Sequence, residues 1–341
     1  MTLPNIAVLG ATGVVGREIL NILEENNVQY KSIKFLASKR SAGSTLEFKG
    51  EKHTVIEATE NVFDDIDICL ASAGGETSKT FAPIAAKKGC VFIDNSSAFR
   101  MEKDVPLVIA GVNDEDLKNH KGIIANPNCS TSQLMLPLKA LHDKFGLKRL
   151  IVSTYQAVSG AGLKAITELT DSTKTNLIGM PYTPEAFKYE IAFNVIPQID
   201  QFTENGYTKE EMKVTNETRK ILHLSDDVKI SCTAVRVPVY IGHSEAVSAE
   251  FEKPITEELA KEALKSAVGT EIKDDPKNFI YPTPKDAAGK NPVYVGRIRK
   301  SIAFDNGLDF FCVADNLRIG AALNTVRIAQ KVIEMGLFGK N

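Results

Sequence analysis

Five cysteines are spread through 341 residues, and one differs from the rest. Cys69, Cys90, Cys232 and Cys312 lie in apolar, strand-like runs and are expected as small buried hydrophobes. Cys129 lies in Ile124-Ala125-Asn126-Pro127-Asn128-Cys129-Ser130-Thr131-Ser132-Gln133, a polar loop that leads into an apolar helical stretch, Leu134–Phe145. Ser130 or Thr131 is suited to cap that helix. Cys129 then sits at or just before a helix N-terminus, where partial positive charge favours thiolate over thiol. A thiolate there is a candidate nucleophile toward an acyl group; the local residues leave a buried structural thiol open as well. A nucleophile needs a proton acceptor and an orienting group. His53, His120, His142 and His223 stand in charged, surface-like contexts, whereas His243 ends the apolar run Val239-Tyr240-Ile241 after Gly242. Arg236 is a lone cation inside Ala234-Val235-Arg236-Val237-Pro238. A charge in an apolar strand is costly unless paired, so its partner is either a bound carboxylate or an internal salt bridge.

A second chemical signal opens the chain. Ile6-Ala7-Val8-Leu9 leads into Gly10-Ala11-Thr12-Gly13-Val14-Val15-Gly16, a strand, three glycines and a helix. Gly10 permits a tight turn, Gly13 lets backbone N–H groups approach a pyrophosphate, and Gly16 allows close helix–strand packing. Gly10, Thr12, Gly13, Val14 and Val15 are therefore expected cofactor contacts. The next strand ends Phe35-Leu36-Ala37-Ser38-Lys39-Arg40-Ser41 with no carboxylate for a ribose 2′-hydroxyl. Hydroxyls and a planar guanidinium suit a 2′-phosphate instead, so the cofactor is expected to be NADP, held by Ser38, Arg40 and Ser41. A solvated basic loop is the plainer alternative.

The elements that must carry these residues follow from hydrophobic period. Asn5–Leu9, Ser32–Ala37, Asp67–Ala71 and Cys90–Asp94 are near-continuous apolar strands, separated by helix-like stretches such as Gly16–Glu25 and Thr77–Lys88. That alternation predicts a doubly wound, Rossmann-like parallel sheet covered on both faces. Arg149–Gln156, Lys229–Ile241 and Ala246–Glu252 are longer and partly alternating, which predicts an α+β domain with a mostly antiparallel sheet. The polar stretch Leu169–Met180 shows no clear period and is expected as a loop or mobile insertion. Asn316–Gly336 has helical spacing at Ala322, Val326, Ala329 and Ile333. The fold class is α/β, with residues 1–128 plus 315–341 binding the dinucleotide and 129–314 forming a catalytic and dimerisation domain.

Composition narrows the class. A net charge of −2 argues against a nucleic-acid partner, which usually demands a basic face. No apolar run suggests a membrane span. Unpaired, widely spaced cysteines argue for reduced thiols, no metal site and a cytoplasmic protein.

The motifs together resemble bacterial aspartate-semialdehyde dehydrogenase over essentially the whole chain. GATGVVG at the start, NPNCSTSQ around Cys129 and RVPVYIGHSEAV around Arg236 and His243 carry the resemblance, with Glu210-Glu211-Met212-Lys213 and Glu217-Thr218-Arg219-Lys220-Ile221. It implies NADPH-dependent conversion of L-aspartyl 4-phosphate to L-aspartate 4-semialdehyde with release of phosphate, on the route to lysine, threonine and methionine. It implies Cys129 as acyl-accepting nucleophile, His243 as acid–base residue and Gln156 as the residue orienting substrate near the thiol. Arg236 is implied as the clamp on the substrate α-carboxylate, Glu210 as partner of its amino group, and Arg100, Asn128 and Lys213 as the phosphate site. Ser72–Gly75 (Ser72 and Gly74 in particular), Ser159, Gly160 and Asn316 are implied as cofactor contacts, and a homodimer or dimer of dimers as the assembly. The family's branches differ after Gln156, so the conformation of 169–184 is left open. Two alternatives remain. One is an N-acetylglutamyl phosphate reductase, whose segment carries glycine where Asn128 stands. The other is a non-catalytic dinucleotide-binding paralogue, which would be expected to lose the nucleophile or base.

Overall fold

The computed structural model describes residues 3–339. The chain divides into two compact units, 1–128 with 321–341, and 129–320. Residues 315–320, expected in the first unit, belong to the second.

The first unit contains β1 (Asn5–Leu9), α1 (Val14–Glu25), β2 (Ser32–Ala37), a hairpin of β3 (Thr45–Phe48) and β4 (Glu51–Thr54), β5 (Ile56–Glu57), β6 (Ile68–Ala71), α2 (Gly75–Lys87), β7 (Val91–Asp94) and β8 (Ile123–Ala125). Six of these strands form one parallel sheet in the order β5-β2-β1-β6-β7-β8. Every residue of β6 and β7 is buried, as expected for parallel strands covered on both faces. Helix α1 buries Ile19, Leu20, Ile22 and Leu23 along one stripe. The C-terminal helix Leu323–Glu334 also packs in this unit, burying Val326 and Ala329.

The second unit contains α3 (Cys129–Phe145), β9 (Leu147–Gln156), α4 (Leu163–Leu177), α5 (Lys209–Ile221), β10 (Lys229–Arg236), β11 (His243–Phe251), α6 (Glu257–Lys265), β12 (Thr270–Ile272), α7 (Pro284–Ala287), β13 (Val293–Lys300) and β14 (Gly307–Ala314). Its sheet has the order β10-β9-β11-β14-β13-β12. The three central pairings are antiparallel, and β10 and β12 join at the edges in parallel. Strand alternation sends Thr154 and Gln156, Ala234 and Arg236, His243 and Glu245, and Cys312 and Ala314 to buried positions. On the opposite face Ile151 and Tyr155 remain exposed. Among the described residues no helix is long and apolar enough to cross a membrane.

Two expectations are corrected. The stretch from Leu169 is not a loop: α4 runs to Leu177. Its inward face is Ala165, Glu168, Leu169 and Ser172, half of it polar, so no apolar period shows in the sequence. Glu168 is buried because it accepts the backbone N–H groups of Glu185 (2.7 Å) and Ala186 (2.5 Å), which ties the following coil to the helix. The strand from Lys229 ends at Arg236, not Ile241, since Pro238 has no N–H for a ladder. His243 consequently opens β11 rather than closing β10.

Candidate active site

Helix α3 begins at Cys129 itself, so Ser130 and Thr131 lie inside its first turn and neither caps it. Cys129 is partly exposed while Cys69, Cys90, Cys232 and Cys312 are buried. Burial raises the thiols of Cys69, Cys232 and Cys312 and holds them neutral. Behind Cys129 lies Gly320, in the π-helical turn Arg318–Ala322. A Cβ on Gly320 would stand 2.7 Å from the Cys129 Cβ and 3.0 Å from its Cα, so only glycine allows this approach. Nothing in the sequence marks Gly320, because its requirement is a long-range contact.

The ends of three strands bring the other groups together. Gln156 and Arg236 are register partners on the parallel pair β9 and β10. The segments that follow run side by side, with Val158 N–H bonded to the Val239 carbonyl (2.8 Å) and Ser159 N–H to the Tyr240 carbonyl (3.1 Å). Gly242, at φ +101°, turns the chain into β11 and His243. Asn316 fixes that turn: its Oδ1 accepts the Gly242 N–H at 3.0 Å, and its side chain is bonded to the Ser159 hydroxyl.

Arg236 is 5% exposed and donates from Nη1 to the Ala157 carbonyl at 2.6 Å. Burial lowers its pKa, while the charges of Cys129 and Glu210 act the other way. His243 is fully buried, and its Nδ1 accepts the Ala157 N–H at 3.0 Å. Burial, and then the charge of Arg236, pushes its pKa well below the usual histidine range. A Cβ on Gly160 would stand 3.1 Å from Arg236 Nη1 and 3.2 Å from His243 Nε2, so the two side chains flank that glycine.

Glu210, on α5, accepts from Gln156 Nε2 (3.2 Å) and from Lys213 Nζ (3.2 Å). Lys213 also pairs with Asp200 at 2.9 Å, a partner the sequence did not indicate. Burial works against the Lys213 charge, but Glu210 and Asp200 outweigh it and raise its pKa. Lys213 is thus a cation held between two carboxylates. Glu245, two residues along β11 from His243, is also buried and accepts from the Cys312 thiol. Burial raises its carboxyl pKa to about 8. The native carboxyl keeps its proton between about 4.5 and about 8 while the unfolded carboxyl loses it, so its contribution to stability falls across that window. The Glu245→Gln protein should therefore melt higher than the native one at pH 8, with the difference shrinking toward pH 5; calorimetry across pH checks this.

In the first unit, Gly10 adopts φ +84°, and a Cβ there would lie 2.8 Å from the Ser72 carbonyl oxygen. A Cβ on Gly16 would overlap the Gly10 carbonyl, 2.1 Å away. No side chain caps α1 at Gly13, and α2 starts after Gly74 with open space beside it, so both helix N-termini are left clear for a ligand. Thr12, Val14 and Val15 follow the same turn into α1. Ser38 and Arg40 are exposed in the turn after β2, where Ser41 N–H bonds the Ser38 carbonyl at 2.9 Å. Arg100 is not a surface arginine. It is 7% exposed, with Nε on the Asn126 carbonyl and Nη2 on the Asn95 carbonyl, both at 2.8 Å. Asn128 is also buried. Among the described residues no group of three or more His, Cys, Asp or Glu side chains could hold a metal ion.

Comparison with known proteins places both units. Residues 5–120 match the family model described as semialdehyde dehydrogenase, NAD binding domain, and residues 138–319 match the model described as semialdehyde dehydrogenase, dimerisation domain. The aspartate-semialdehyde dehydrogenase of Aquifex aeolicus is 53% identical over 97% of this chain and 98% of its own. The crystal structure of aspartate semialdehyde dehydrogenase II from Vibrio cholerae, complexed with ASA, is similar at TM-score 0.94 and 44% identity, covering 98% of this chain and 99% of that one. The Candida albicans aspartate semialdehyde dehydrogenase solved with NADP is similar at TM-score 0.75 and 25% identity, over 97% and 99% of the two chains.

Proposed function

The chain belongs to the aspartate-semialdehyde dehydrogenase family, and from that premise we propose that it converts L-aspartyl 4-phosphate to L-aspartate 4-semialdehyde, with NADPH, through an acyl-thioester on Cys129. The observation that carries this reading is the arrangement in the second unit. A cysteine begins a helix, a Gln–Arg register pair closes β9 and β10, and a buried histidine opens β11.

The Cys129 thiolate attacks the acyl carbon of the acyl phosphate; the carbon–sulfur bond forms, and the bond to phosphate breaks with its electron pair. Gln156 holds the acyl group near the sulfur, and His243 acts on the acyl oxygen. The Arg236 guanidinium binds the substrate α-carboxylate, and Glu210 its ammonium group. Arg100, Asn128 and Lys213 receive the phosphate. Lys213 enters this role with its charge already balanced by Glu210 and Asp200. The nicotinamide, when bound, supplies the hydride that reduces the acyl group to the aldehyde. The uncapped start of α1 and the side-chain-free turn at Gly10 fit a pyrophosphate. Gly10, Thr12, Gly13, Val14, Val15, Ser72 and Gly74 would hold the dinucleotide, with Ser159, Gly160 and Asn316 as further contacts.

Rates on aspartyl 4-phosphate and on N-acetylglutamyl phosphate test the substrate. The first is expected to turn over at least about 10²-fold faster, because Glu210 pairs with an ammonium the second lacks; comparable rates would sink the assignment. Ser38, Arg40 and Ser41 select NADPH by the ribose 2′-phosphate. The Arg40→Ala protein should show an NADPH KM raised roughly tenfold or more with NADH kinetics almost unchanged. Equal losses with both cofactors would remove Arg40 from phosphate recognition. The exposed apolar side chains Ile151, Tyr155 and Tyr240 support a homodimer, or a dimer of dimers, through the second unit.

A further inference from the structure

The first unit contains a chain of asparagine side chains that runs in one direction. Asn324, on the C-terminal helix, accepts the Ala110 N–H at Oδ1 (3.0 Å). Its Nδ2 donates to the Val108 carbonyl (2.9 Å) and to Asn126 Oδ1 (2.5 Å). Asn126 donates from Nδ2 to Asn95 Oδ1 at 2.8 Å, and Asn95 donates from Nδ2 to the Ala71 carbonyl at 2.9 Å. A backbone N–H only donates and a backbone carbonyl only accepts. Ala110 and Val108 at one end and Ala71 at the other therefore fix which way round all three amides lie. Asn126 and Asn324 are buried, and an unmatched amide group there is destabilising.

The two carbonyls that accept from Arg100 Nε and Nη2, both at 2.8 Å, belong to Asn126 and Asn95 of this chain. They set one edge of the planar guanidinium, and with it the direction of the whole fork. We propose that Asn126 and Asn324 are positioning residues for Arg100, so that phosphate binding depends on a helix that makes none of the proposed substrate or cofactor contacts. The inference rests on the proposed function, in which Arg100 receives phosphate, and deepens it.

The peptide at Asn126 is held from two sides. Its N–H bonds the Asp94 carbonyl at 2.8 Å, where β7 and β8 end, and its side chain ties it to the C-terminal helix. Leucine at position 324 is close in size to asparagine but neither donates nor accepts. It would strand Asn126 Oδ1 in a buried site. The Asn126 side chain then turns toward another donor, and the bond to Asn95 weakens with it, because linked amides polarise one another. The carbonyl under Arg100 Nε shifts, and the guanidinium loses its set direction.

The test follows the full-length protein in the oxidative direction, with inorganic phosphate varied at saturating NADP and L-aspartate 4-semialdehyde. Asn324→Leu is expected to raise the phosphate KM about tenfold and to leave the semialdehyde KM within about twofold of native. Asn126→Ala should show the same split, and it decides the matter if the first variant does not fold. In an Arg100→Ala background neither substitution should raise the phosphate KM further, because the side chain they position is gone. An unchanged phosphate KM in a folded variant, an equal rise in both KM values, or a full additional rise on top of Arg100→Ala overturns the proposal. If the native protein shows no phosphate-dependent oxidation of the semialdehyde, the proposed function falls and this inference falls with it. A native protein that is active, with variants that lack the split, overturns the positioning role alone.

Discussion

The Cys129→Ser protein is expected to lose roughly 10⁴- to 10⁶-fold in kcat, with its melting temperature almost unchanged. The hydroxyl is close in size to the thiol, and Cys129 is partly exposed, so the substitution leaves packing nearly intact. The loss comes from the nucleophile. A helix N-terminus stabilises a thiolate enough to populate it near neutral pH, but it cannot bring a serine hydroxyl within reach of ionisation. Substrate KM should change little, because Arg236 and Glu210, the proposed substrate contacts, are untouched. A loss below about tenfold would take Cys129 out of the bond-forming step.

The Gly320→Ala protein is expected to lose roughly 10²-fold in kcat while keeping its substrate KM. The added Cβ would stand 2.7 Å from the Cys129 Cβ, well inside the separation of about 3.5–4.0 Å at which carbon atoms rest. Cys129 is the first residue of α3 and the one residue of its first turn that is not buried, so the shift is expected to fall on it. A displacement of about 1 Å in a reacting atom costs about that much in rate. Overpacking also lowers stability by about 1–3 kcal/mol, which thermal unfolding would read separately. A native kcat in a folded Gly320→Ala protein would mean that the first turn of α3 tolerates the shift.

The first unit's strands were legible in the sequence because parallel strands buried on both faces appear as unbroken apolar runs, as Ile68–Ala71 and Val91–Asp94 do. The helix start at Cys129 was legible because a polar loop before an apolar helix is a local signal. Helix α4 was not, because Glu168 and Ser172 occupy its buried stripe and their compensation, the backbone of Glu185 and Ala186, is distant in sequence. The apolar run Val237–Ile241 mimicked a strand that Pro238 prevents, and this put His243 at the wrong end of its strand. Gly320 acts through a partner far along the chain, so no window of sequence contains its reason for being there. Arg100 was expected by resemblance, but its burial on two backbone carbonyls belongs to the folded chain alone.

The peptide at Ala157 has a consequence for mutational scanning. What it gives Arg236 and His243 is an N–H and a carbonyl, which nineteen of the twenty amino acids share. A scan would record residue 157 as a matter of side-chain size, since the alanine is fully buried. Proline is the one residue whose effect would have a different origin, because it lacks the N–H that sets which nitrogen of His243 carries the proton. Part of this site is therefore written in peptide bonds and leaves no trace in any alphabet of side chains.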